Sequence, residues 1–72
     1  MKLSHPLDVF VNNTVDRQIL DIFENHLSEV SPRKRRVATE HAVTLLRQTD
    51  APKFPHALAQ ALKVIEKADA QN

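Results

Sequence analysis

The stretch that decides the fold is Asn13–Pro32, NTVDRQILDIFENHLSEVSP. Val15, Ile19, Ile22, Phe23, His26, Leu27 and Val30 recur at spacings of three and four, which lines them along one face of a helix. Leu20 widens that stripe, and Asp16, Asp21 and Glu24 make the opposite face acidic. Asn13 or Thr14 is suited to cap the start, with Asp16 in the first turn, where the positive dipole end favours an acid. Ser31-Pro32 then stops this helix and opens the next, because serine caps well and proline is tolerated at the first helical position. The pattern predicts a helix over 13–30 and a second one from Pro32.

Working outward, the second helix should reach about Gln48 and occupy 32–48. Ala38, Ala42, Leu45 and Thr49 fall on one line, flanked by His41 and Leu46, with Arg33, Arg36, Glu40 and Arg47 on the far side. Val43 lies on that polar side, an apolar residue without an evident place in the core. Pro52 and Pro55 break the chain, and a third helix is predicted over 55–68. Its inner line is Leu58, Ala61, Leu62, Ile65 and Ala68, with Phe54 packing back from just before the first turn. His56, Gln60, Lys63 and Lys67 form its wet face, and 69–72 is read as a frayed tail. In the N-terminal segment 1–12, Ser4-His5-Pro6 can start a short helical turn that gathers Leu7, Phe10 and Val11. An extended alternative alternates Leu7, Val9 and Val11. Asn12 and Asn13 are suited to end the turn in the left-handed conformation.

These segments predict one all-α domain over 1–72, a small bundle of three main helices with an N-terminal helical turn. With 72 residues, no cysteine and no glycine, the chain has neither disulfides nor glycine turns to stabilise it. Alanines permit close helix packing but bury little area, so homodimerisation is the expected remedy. Leu20, Phe23 and Val43 are the apolar residues expected at the dimer interface.

The formal charge of +1 conceals a separation. Residues 1–30 carry five acids and two bases, net −3, whereas residues 31–72 carry eight bases and four acids, net +4. Arg33-Lys34-Arg35-Arg36 is the one feature that local helix physics leaves unexplained, since four cations crowd a helix start that is already positive. Either acids of the preceding helix compensate them or they meet an acidic partner. Arg33, Lys34, Arg35, Arg36, Val43 and Arg47 are therefore the candidate partner-binding residues.

Function is read accordingly as that of a small, non-catalytic regulatory or adaptor protein, cytoplasmic and homodimeric, whose protein partner presents an acidic surface. The competing reading is a DNA-binding regulator. Val30-Ser31-Pro32-Arg33 resembles the turn and recognition-helix start of some helix-turn-helix proteins, although Glu29 stands where the turn glycine is expected and Asn25 where a small alanine is usual. The net charge is also low for phosphate binding.

Other chemistries find little support in the sequence. His5, His26, His41 and His56 are spaced by 21, 15 and 15 residues, so no two share a helix turn as metal ligands do. Ser4 and Ser31 are better placed as caps than as nucleophiles, and no Gly-x-Ser-x-Gly turn exists. No catalytic residue, metal, cofactor or small-molecule substrate is expected. No apolar run is long enough to span a bilayer, and the Lys53, Lys63 and Lys67 side of the last helix is explained by packing rather than membrane contact.

Overall fold

A computed structural model describes residues 5–70, with side chains to residue 67. The predicted role of Ser4, the burial of Ala68 and the last two residues of the tail lie outside those limits. Among the described residues there are three α-helices, α1 (Thr14–Leu27), α2 (Pro32–Leu46) and α3 (Phe54–Ala70), preceded by a 3-10 turn at Asp8–Phe10. No strand is present among them, and no helix is long and apolar enough to cross a membrane.

The N-terminal segment follows the helical alternative. Leu7 is fully buried, Phe10 and Val11 are half-buried, and Val9 points out at 79% exposure, which rules out the extended alternation. The turn is tied reciprocally: the His5 backbone N–H donates to Asp8 Oδ2 at 3.0 Å, and the Leu7 N–H donates to His5 Nδ1 at 3.1 Å. It does not end in a left-handed residue, because no described non-glycine residue has positive φ. Asn13 instead adopts an extended conformation and caps α1, its Oδ1 accepting the Asp16 N–H at 2.9 Å. Asp16 Oδ2 reaches back to the Asn12 N–H at 3.4 Å. These two bonds act as a capping box shifted by one residue.

The inward face of α1 differs from the expected one. Asp16, Leu20, Phe23 and Leu27 are buried, whereas Val15 and Ile22 are 61% and 68% exposed. Both lines obey helical spacing and lie about 100° apart, so periodicity alone does not choose between them. The buried line carries the larger payload, Leu20, Phe23 and Leu27, and the acid within it sits at the helix start, where capping bonds and the dipole hold it. Leu20 and Phe23 are thus fully engaged in the monomer core and have no surface to offer a second copy. Their assignment to a dimer interface is corrected here.

Ser31 caps α2 through its Oγ, which accepts the Lys34 N–H at 3.3 Å, and Pro32 takes the first helical position. The second and third helices form an antiparallel hairpin with the most extensive packing in the molecule; α1 rests mainly on α3. Ala38 and Ala42 of α2 and Ala57 and Ala61 of α3 are all fully buried, the arrangement that lets two backbones approach closely. Phe54 begins α3 and is buried in the same core cluster as Leu58 and Ile65. Val43 is half-buried and packs on the core, on the side of α2 where the N-terminal segment brings Pro6 near Thr39. The molecule extends 37 × 32 × 19 Å, and with helices about 10 Å across its thin direction is two layers deep. Each helix therefore keeps a broad outer face.

Candidate interaction surfaces

The structure divides the basic run. Arg35 turns back from α2 across the α1–α2 connection, where its Nε donates to the Leu27 carbonyl at 3.1 Å and its Nη2 to the Val30 carbonyl at 3.4 Å. Backbone turns already close the end of α1, with the Ser28, Glu29 and Val30 N–H groups donating to the Glu24, His26 and Leu27 carbonyls, and Arg35 adds a side-chain donor to the last of these. A glycine in left-handed conformation would ordinarily satisfy the last carbonyls, and the chain has none. A guanidinium supplies fixed N–H donors and a positive charge at the negative end of the helix dipole. Ser28 adds a second closure, its hydroxyl donating to the Asn25 carbonyl at 2.6 Å. Arg33 and Arg36 remain exposed on the first turn of α2, and Arg47 is exposed at its C-cap; Lys34 is half-buried. Thus the candidate partner-binding residues do not form one patch. Arg35 serves the fold, Val43 packs on the core, and the exposed arginines lie along the outer side of α2.

An uncharged face on α1 is the second feature. Gln18, Ile22, Val15, Ile19 and Asn25 share this side with the exposed His26, while Arg17, Asp21 and Glu24 project elsewhere around the helix. Ile19 is half-buried at its edge. Near Val15 the face opens into a shallow groove of about 670 Å³ between the N-terminal segment and the α2–α3 connection, lined by Val9, Phe10, Leu46 and Phe54 among others.

On the other side of α1 the N-terminal segment is held by polar side-chain contacts. Arg17 Nη1 donates to Asp8 Oδ1 at 2.9 Å, and His5 Nε2 lies 3.3 Å from Glu24 Oε1. Because His5 Nδ1 accepts the Leu7 N–H, the neutral ring carries its proton on Nε2, facing Glu24. The Arg17 hydrogen bond is the main cause that holds the Asp8 carboxyl below the ordinary aspartate range, assisted by the His5 N–H and opposed by partial desolvation.

A third surface was not foreseen in the sequence. Between α2 and α3 a shallow groove of about 210 Å³ is lined by His41, Gln60, Lys63, Val64 and Lys67. Gln60, Lys63 and Lys67 belong to the wet face of α3 that the sequence predicts, but their partnership with His41 across the hairpin is a tertiary fact. Among the described residues no carboxylate lines this groove. Among the described residues no three His, Asp or Glu side chains converge in a metal-binding group. No family model matches the chain, and no curated protein or solved structure matches it either.

Proposed function

We propose that this chain is a cytoplasmic, non-catalytic interaction module of the regulator or adaptor kind that works as a homodimer joined through α1. The observation that carries this reading is the outward display of Val15 and Ile22, 61% and 68% exposed, on a face without formal charge. Depletion of charge at the centre of a patch is characteristic of protein interfaces. An antiparallel two-fold pairing of α1 with α1 sets Ile19 and Ile22 of one copy against Ile22 and Ile19 of the other. Val15 and His26 then close the ends, about 16 Å apart along the helix. Such a pairing needs no charge complementarity, and it keeps the acids of both copies to the sides.

Sedimentation equilibrium tests the reading. At tens of micromolar the chain is expected at twice its mass of 8.2 kDa, and Ile22→Asp at 8.2 kDa with its helical circular dichroism unchanged. A wild-type chain that sediments only as a monomer overturns it. The competing DNA-binding reading draws on Arg33 and Arg36, which stay exposed at the start of α2. It requires retardation of duplex DNA at low salt that falls as salt rises, and Arg33→Ala/Arg36→Ala should weaken it and flatten that salt dependence.

A further inference from the structure

We infer that the groove between α2 and α3 is a docking site for an acidic amphipathic helix of a partner protein. This goes beyond self-association through α1 and does not depend on it. Lys63 and Lys67 stand one turn apart on α3 and are both exposed, and His41 faces them from α2. Val64 lies half-buried between them as an apolar floor. Val37, one turn before His41 on α2, is 44% exposed and lies outside the groove's lining. Glu40 and Glu66, acids on the same two helices, do not line the groove. The site thus offers an apolar floor at Val64 with two lysines along its α3 edge, which complements a helix whose apolar line is flanked by carboxylates.

A nucleic acid fits the same surface less well. Phosphates would find the lysines, but among the described residues the one ring lining the groove is the half-buried His41 imidazole, which leaves little stacking surface for a base. The three phenylalanines are elsewhere: Phe23 and Phe54 are buried in the core, and Phe10 is in the N-terminal turn.

Fluorescence anisotropy provides the test. The probe is a labelled synthetic peptide of about 18 residues, with leucines at helical spacing and glutamates on the flanks. A scrambled peptide of equal composition and a single-stranded oligonucleotide of about 20 nucleotides serve as comparisons. The amphipathic peptide is expected to bind saturably and more weakly as salt rises. Lys63→Glu/Lys67→Glu should reduce its affinity about tenfold or more, and Val64→Ser should also weaken it. Ile22→Asp, on the α1 face, should leave it unchanged, which separates this site from self-association. Both lysines are exposed, and circular dichroism verifies that the reversed variant is folded. The inference is overturned by lack of saturable peptide binding, by equal binding of the scrambled peptide, or by indifference to the lysine reversals. Tighter binding of the oligonucleotide, unaffected by Val64→Ser, overturns it in favour of a nucleic-acid surface.

Discussion

Arg35 lies eight residues beyond Leu27 in sequence, yet its Nε donates to the Leu27 carbonyl at 3.1 Å and closes the end of α1 from outside the helix. This contact explains one member of a basic run whose other residues point elsewhere. It leads to an unequal mutational response among neighbours that look alike in sequence. Arg35→Ala should cost about 1 kcal/mol or somewhat more, through the lost hydrogen bonds and the lost charge at the negative end of the dipole. Arg33→Ala and Arg36→Ala, exposed like Arg35 but without its bonds to the Leu27 and Val30 carbonyls, should stay within about 0.5 kcal/mol of wild type. Urea denaturation of the three variants decides the matter. Equal effects at all three positions would show that Arg35 has no capping role.

Asn13 performs the corresponding task at the start of α1. Its side chain accepts the Asp16 N–H, so Asn13→Ala should destabilise the fold by about 1 kcal/mol, while Asn13→Asp or Asn13→Ser retains a capping oxygen and most of the stability. A temperature ramp suffices as a readout, since about 1 kcal/mol moves the midpoint of so small a domain by several degrees. If Asn13→Ala and Asn13→Ser lose the same amount, the cap is not the source of the effect.

The rotation of α1 about its axis gives a contrast between residues two positions apart. Leu20 is completely buried and Ile22 is 68% exposed. Leu20→Ala should therefore cost about 2–5 kcal/mol, enough to unfold a marginal domain, whereas Ile22→Ala should leave the stability of the monomer within about 0.5 kcal/mol. Denaturation at protein concentrations too low for self-association isolates this comparison from the dimer. A larger loss at Ile22 than at Leu20 would mean that the stripe predicted from Val15, Ile19 and Ile22 faces the core after all.

The starts of α1 and α2 were legible because each is set by local chemistry, whereas α1 ends at Leu27 and α2 at Leu46, short of the expected 30 and 48. Asn13, Ser31 and Pro32 announce themselves in the sequence, and the helices start where these residues put them. The inward line of α1 was not legible, because its apolar arc from Val15 to Leu20 is wider than the core can cover. Only the packing of α3 and Leu7 selects the part that is buried. For the same reason Leu20 and Phe23 were mistaken for spare surface. The capping role of Arg35 was hidden for a different reason. A guanidinium that reaches back eight residues leaves no periodic trace, and absent glycine hints at a need without saying which side chain meets it. The groove of His41, Lys63 and Lys67 likewise depends on the register of two helices, which no single stretch of sequence encodes.

The attachment of the N-terminal turn should depend on pH through Asp8. Its carboxyl titrates below the ordinary aspartate value of 3.8 because Arg17 donates to it. With the native value depressed, the unfolded chain binds more protons in the interval between the two values. The ion pair therefore contributes stability above the ordinary carboxylate range, and that contribution is lost as pH falls through the native value. Asp8→Asn isolates the charge, since the amide oxygen can still accept the His5 N–H. Wild type should be the more stable at neutral pH, and the difference between the two proteins should shrink on acidification below about pH 4. Added salt should shrink it as well, because Arg17 is half-exposed and its pairing with Asp8 is screened. Denaturation of both proteins from about pH 7 to about pH 2 measures the difference directly. A gap that stays constant over that range, or that widens in acid, would show that Asp8 acts by its shape in the turn and not by its charge.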